Sequence, residues 1–155
     1  MTFHNVPSLE EVGERIAIRE LIDTYAHCAD RRDAPGQMAL FTPTARFVVH
    51  MDTSSPVPSQ ELASRDELAP VFDNLNSYQT TTHFNGQSVI DVDGTRATGE
   101  TYCLAHHLSV VDGERTMMVA SIRYLDTFAK QDDGAWLFSE RRLMVDWTET
   151  RRSAP

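Results

Sequence analysis

Along the first thirty positions, apolar side chains return at Leu9, Val12, Ile16, Leu21, Tyr25 and Ala29, while Glu10, Glu14, Arg15 and Arg19 occupy other faces. That spacing predicts an amphipathic helix from Ser8 to Asp30. The Ser8-x-x-Glu11 capping box after Pro7 opens it, and Arg31-Arg32-Asp33 ends it. Pro35 suits a first helical position, so GQMALF predicts a short second helix that stops before Pro43. The β-formers of ARFVVHM (45–51) predict a strand, and DTSSPVPSQ (52–60) a Pro/Ser loop. Leu68, Val71, Phe72 and Leu75 form the stripe of a third helix from Asp66 to Leu75, which Pro70 delays or kinks.

The second half changes period. Asp93-Gly94, Asp112-Gly113 and Asp133-Gly134 stand 19 and 21 residues apart, and Asp-Gly supplies the positive φ of tight hairpins. Between them run β-rich segments over 81–91, 95–111, 115–130 and 135–148, a four-stranded meander of long strands. Strands of that length twist and coil, so the sheet is expected to curl. Strict alternation puts Leu137, Leu143, Val145 and Trp147 on one face of the last strand, with Trp136, Phe138 and Met144 on the other. Bulk on both faces predicts a homodimer or higher homo-oligomer through the outer sheet face. The fold class expected is α+β: N-terminal helices packed in the concavity of a curved antiparallel (mixed) sheet, as a cone-shaped barrel. A single domain over 1–155, with its core at about 8–148, accounts for the chain.

Composition narrows the partners. The chain has 155 residues, 41% hydrophobic and 24% charged, with a formal net charge of −9, ordinary for one globular domain. Its only basic doublets are Arg31-Arg32, Arg141-Arg142 and Arg151-Arg152, too sparse to neutralise a phosphate backbone or an anionic membrane. No nucleic acid and no membrane partner is expected. No secretion signal is visible at the N-terminus and no apolar run approaches the ~18 residues of a membrane span, so the expected location is cytoplasmic. Cys28 and Cys103 form no CxxC and read as reduced core thiols.

Six histidines are the first place to look for chemistry. His4 lies near the terminus, His27 in mid-helix and His50 at a strand end; all read as structural or solvated. His106 and His107 alternate across a strand, so only one can face inward. Thr101, Cys103, Ala105 and His107 share a small, semi-polar face with room for a ligand, which favours His107. The absence of His-x-His and HExxH argues against a metal. His83 differs, standing in TTTHFNG among small polar residues. A neutral imidazole is the natural general base near pH 7 and needs an acceptor behind it, for which Asp30 is the candidate. The plainer reading makes Asp30 a helix end and His83 a satisfied strand residue.

IAIRELIDTYAHCADRRD, TTHFNG, GETYCLAHH and DGAWLFSERRLMVDW together resemble the SnoaL-like families of the nuclear-transport-factor-like superfamily, over about Ile16 to Trp147. Scytalone dehydratase and hexachlorocyclohexane dehydrochlorinase are similar in pairing a catalytic Asp and His, and Asp30 and His83 fall on those places. The resemblance to bile acid 7α-dehydratase over Tyr25 to Asp30 implies a functional Tyr25. The resemblance to scytalone dehydratase further implies a second active-site histidine at His107, and that to the dehydrochlorinase an active-site arginine near Arg141, although Arg141 also reads as a solvent-facing neighbour of Arg142. Tyr25 and Asp30 are five residues apart, roughly 140° around a regular helix, so they converge only if the last turn is distorted. Ala105 stands where the bile acid enzyme is acidic.

These resemblances imply a cofactor-independent lyase or isomerase, with dehydratase-like proton abstraction on a small hydrophobic oxygenated substrate. No Arg-x-Asp lies on an expected strand for a limonene epoxide hydrolase arrangement, Arg31-Arg32-Asp33 standing at a helix end, and the strand ARFVVHM lacks the aspartate of ketosteroid isomerases. A polyketide cyclase remains open. So does a non-catalytic binding or assembly subunit resembling the small subunit of ring-hydroxylating dioxygenases, since fold alone does not dictate function.

Overall fold

The computed structural model describes residues 6–154; His4 lies outside the described residues. Helix α1 spans Leu9–Arg31. Ser8 caps it, its hydroxyl accepting the Glu11 N–H at 3.1 Å. The helix buries Ile18, Leu21, Ile22, Tyr25, Cys28 and Ala29. It ends in a Schellman-type turn, with Arg32 left-handed at φ 61° and the Asp33 N–H donating to the Cys28 carbonyl at 2.9 Å. Asp33 then caps α2 (Ala34–Ala39), accepting the Gly36 N–H.

Strand β1 (Phe41–His50) starts earlier than the sequence reading places it, and α2 stops sooner. Pro43 sits in the irregular stretch of β1 between Phe41 and Arg46, where pairing with the last strand shifts register. A residue without an N–H is tolerated in such a gap. The expected Pro/Ser loop gives way at its end to a short strand, β2 (Gln60–Leu62), paired antiparallel with β1. The expected third helix is broken: a 3₁₀ turn over Arg65–Glu67, then α3 (Ala69–Asp73), then a second 3₁₀ turn over Asn74–Ser77. Pro70 lies in the first turn of α3, where its ring forbids a helix running through from upstream.

Strands β3 (Thr80–Asp93), β4 (Arg96–Val111), β5 (Glu114–Lys130) and β6 (Trp136–Arg152) form the long meander. The sheet has six strands in the order β2-β1-β6-β5-β4-β3. It is mixed, because β1 runs parallel to β6 while the other pairs are antiparallel. The Asp112-Gly113 turn has both central residues at positive φ, 52° and 80°, the two-residue hairpin this dipeptide favours.

The inner face of β4 runs Ala97, Gly99, Thr101, Cys103, Ala105, His107. At Gly99 a Cβ would lie 3.1 Å from the Phe128 ring and 3.3 Å from the Val89 carbonyl. This thin strip lets the sheet bend over α1 and leaves the concavity to large side chains from other elements. They are largely aromatic: Tyr25 makes edge contacts with Phe41, Phe72, Tyr124 and Phe138 at centroid separations of 5.8–6.0 Å. Among the described residues, no helix is long and apolar enough to cross a membrane.

The face assignment expected for β6 is corrected by two bulges. Phe128 pairs with Phe138 but Thr127 with Glu140, so Ser139 is an extra residue; Asp146 is a second, between the Ile122–Val145 and Ser121–Trp147 pairs. Each bulge reverses the alternation. Trp136 and Phe138 point inward with Arg141 and Val145, and Leu143 packs on the same core. Trp147 lies outside, half exposed, on the face that also shows Phe84, Tyr102 and Leu104.

Candidate active site

Asp30 and His83 meet where the end of α1 crosses the start of β3. One carboxylate oxygen of Asp30 lies 2.7 Å from His83 Nδ1, and the other accepts the His83 backbone N–H at 2.9 Å. The Thr81 hydroxyl donates to the first oxygen at 2.9 Å. Alternation along β3 explains the grouping, since Thr81 and His83 share the inward side. The His83 side chain is 7% exposed and that of Asp30 24%, so the pair forms a part-buried rim.

Burial pushes the Asp30 carboxyl up, but the side-chain and backbone hydrogen bonds from His83, its charge and the Thr81 hydroxyl outweigh it. The net shift is below the ordinary carboxylate value. Ionised at neutral pH, Asp30 can only accept, so the hydrogen between it and the ring belongs to Nδ1. In the neutral ring Nε2 is then left with its lone pair, which is the arrangement a general base requires.

His107 faces inward, like the rest of its row on β4, and is buried. Its ring meets that of His83 edge-on at 5.6 Å and lies 4.7 Å from Tyr78. Its Nδ1 is buried without a partner. Desolvation first, and the charge of His83 second, lower its pKa from 6.5 to about 4, so it is neutral at pH 7. An unfolded chain binds this proton from about pH 6.5 downward and the folded chain only near 4. Stability contributed by neutral His107 is therefore complete above pH 6.5 and lost as pH falls towards 4, by at most about 3 kcal/mol. Urea unfolding of the protein against His107→Leu over pH 4–7 checks this: the variant is expected to show the flatter profile.

Deeper in the concavity stands a second charged group. Arg141 is fully buried, its Nε and Nη2 donating to the two oxygens of Asp126, both at 2.8 Å. Its guanidinium stacks over Tyr25, Tyr124 and Phe138 at 4.0–4.2 Å. The alternative reading of Arg141 as a solvent-facing neighbour of Arg142 is overturned: the Ser139 bulge turns Arg141 inward and leaves Arg142 exposed. Burial pushes the Asp126 carboxyl up and the guanidinium opposes it. Arg141 Nη1 is buried with no partner.

Tyr25 belongs to this deeper group. Helix α1 remains regular through Asp30, so no distorted turn brings Tyr25 round to the dyad. Burial outweighs the nearby Arg141 charge and pushes the phenol up to about 12; it stays protonated. Between the two groups the Cys103 thiol, raised to about 11 by burial, feels both Asp30 and Arg141. Thr101, fully buried two residues before it, has a hydroxyl without a partner.

Sequence reasoning missed Thr81, Asp126, Tyr124 and Arg32. Asp126 carried a signal, as the lone acid of ASIRYLDTFA on the apolar face of Ile122, Tyr124 and Phe128. Thr81 could have been found from its spacing of two from His83. Two surface depressions of about 270 Å³ each lie away from the pair. One runs between α1 and β3 beside Val12, Ile16 and Ile90, and the other on the outer sheet face beside Phe84, Tyr102 and Leu104. Among the described residues, no three His, Cys, Asp or Glu side chains converge into a metal-ligand set.

The model of the SnoaL-like domain matches residues 10–142. A search of curated proteins gives no match. Among solved structures, a protein designated a scytalone dehydratase from Novosphingobium aromaticivorans superposes with a TM-score of 0.78 at 23% identity, covering 94% of each chain. A hexachlorocyclohexane dehydrochlorinase gives 0.79 at 16% identity over 95% of this chain and 97% of that one. A protein designated the beta subunit of an aromatic-ring-hydroxylating dioxygenase, also from Novosphingobium aromaticivorans, gives 0.71 at 20% identity over 90% and 93%. At these identities the structures share the fold, while the sequence match covers most of the chain: the protein belongs to the SnoaL-like domain family.

Proposed function

We propose that the protein is a cofactor-independent lyase or isomerase acting on a small, hydrophobic, oxygenated molecule. His83 Nε2 takes a proton from a carbon acidified by a neighbouring carbonyl. The electron pair left behind forms an enolate, which either expels a β leaving group or is reprotonated elsewhere. Asp30 holds the imidazole in the productive tautomer and balances the imidazolium. His107, neutral and next to His83, is suited to hydrogen-bond the leaving group or the oxygen on which charge develops. Tyr25 and the spare Nη1 of Arg141 are the deeper donors for that oxygen. The observation that carries the reading is the Asp30 carboxylate set 2.7 Å from His83 Nδ1, with the Thr81 hydroxyl and the His83 backbone N–H also donating to it. Dehydratase and dehydrochlorinase names among the structural relatives favour elimination.

The test uses a panel of β-hydroxy and β-halo ketones in D₂O, followed by NMR for elimination and for deuterium at the α-carbon. The protein is expected to do one or both, and His83→Ala to lose about 10²–10⁴-fold while remaining folded by circular dichroism. Equal rates in the two proteins would end the proposal.

A second reading, an assembly or binding subunit, has one observation behind it. Phe84, Tyr102, Leu104 and Trp147 are exposed together on the outer face, where a homo-oligomer or a larger partner would bury them. The mass of the purified protein in solution, with and without Trp147→Glu, separates self-association from a monomer.

A further inference from the structure

Arg32 holds an unfavourable backbone conformation at a position where helices ordinarily use glycine. Its φ is 61°, and the only other non-glycine residue at positive φ among those described is Asp112 in a hairpin turn. Left-handed backbone costs an L side chain free energy that glycine escapes. Strain of this kind persists where surrounding structure fixes it, and it gathers near functional groups.

Besides the backbone bonds of the helix-ending turn, the Arg32 side chain holds it in place. Nη1 donates to the Ala29 carbonyl at 2.9 Å and to the Thr81 hydroxyl oxygen at 2.8 Å. Thr81 is buried, and its hydroxyl has one hydrogen to give. With its oxygen receiving from Arg32, that hydrogen goes to the Asp30 carboxylate 2.9 Å away. A hydroxyl that accepts from a cation is also a more strongly polarised donor.

We infer that Arg32 is a positioning residue for the Asp30–His83 pair, acting through Thr81. Its guanidinium commits the Thr81 hydroxyl to Asp30 and so orients the carboxylate oxygen that faces Nδ1. The relay runs Arg32 to Thr81 to Asp30 to His83. Arg32 touches neither the ring nor a substrate, and its consequence for turnover rests on the function proposed above.

The experiment is a double-mutant cycle on the full chain with two readouts. Variants are Arg32→Gly, Thr81→Val and the double, with Thr81→Ser as the conservative control. Glycine accepts the left-handed backbone without strain, so Arg32→Gly is expected to keep its thermal midpoint within about 4 °C. The first readout is the Nδ1 proton resonance of His83 in ¹⁵N-histidine-labelled protein, assigned with His83→Ala. Arg32→Gly and Thr81→Val should each move it upfield and speed its exchange, and Thr81→Ser should restore it. The second is turnover, expected to fall about ten-fold in kcat for each single variant and no further in the double. An unmoved resonance in Arg32→Gly, or a further loss when Arg32→Gly is added to Thr81→Val, would overturn the inference. Absence of turnover in the unmodified protein on every carbonyl compound would strike the proposed function alone, because the resonance still judges the relay.

Discussion

Asp30→Asn is expected to lower turnover by about 10²–10⁴-fold, with a stability loss of only about 1–2 kcal/mol. The substitution keeps the shape of the side chain and removes its charge. One carboxylate oxygen now accepts from Nδ1 and Thr81, and the other from the His83 backbone N–H. An amide has a single oxygen. If that oxygen stays with Nδ1 and Thr81, the NH₂ group is turned against the backbone N–H, donor against donor. If it turns the other way, the ring faces an NH₂, Nδ1 must accept, and Nε2 acquires the hydrogen. The base is then occupied. Neither orientation balances an imidazolium. Turnover measured alongside urea unfolding separates the effects, and an Asp30→Asn protein within two-fold of full activity would show that the carboxylate plays no part in the chemistry.

Arg141→Met is expected to cost about 3–5 kcal/mol of stability. It strands the fully buried Asp126 without either of its two donors and removes a cation stacked on three rings. Burial already pushes the Asp126 carboxyl above its usual value. With its partner gone, that carboxylate is relieved only by taking up a proton. The folded pKa then exceeds the unfolded one, so the deficit is greatest at neutral pH and shrinks as pH falls through the folded value. Replacing both partners, Arg141→Met with Asp126→Leu, is expected to recover most of the loss, because no charge is left in an apolar setting. Urea midpoints at pH 7 and pH 5 for the two variants check this. A double variant weaker than the single would mean that the pair itself, and not the orphaned acid, carries the stability.

The meander was legible because its cues are local. Each Asp-Gly pair marks a turn, and period-two alternation runs uninterrupted along β4 from Ala97 to His107, so His107 could be told from His106 by counting. The pairing of Asp30 with His83 was raised by the chemistry an imidazole base needs and favoured by resemblance, not by spacing; 53 positions separate the two, and only docking of α1 on β3 joins them. Counting failed on β6. There Ser139 and Asp146 each insert one residue, a feature of strand pairing that no property of Ser or Asp announces. Strict alternation groups Trp147 with Leu143 and Val145, from which the second bulge separates it. Thr81 and Arg32 escaped notice for a different reason: their roles depend on the direction of a hydroxyl and on a left-handed turn, both set by contacts from outside their own segments.

The extra residue at 139 changes the phase of β6, even-numbered side chains facing in before it and odd-numbered ones from there to the second bulge at Asp146. The stretch up to Asp146 inherits that shift: the guanidinium at 141 and the aliphatic pair at 143 and 145 owe their direction to a single inserted unit upstream. Length, and not only identity, is therefore under constraint in this stretch. When relatives are aligned across it, a gap of one belongs at the kink, for placing it a few positions later would match a core arginine to a neighbour that meets water.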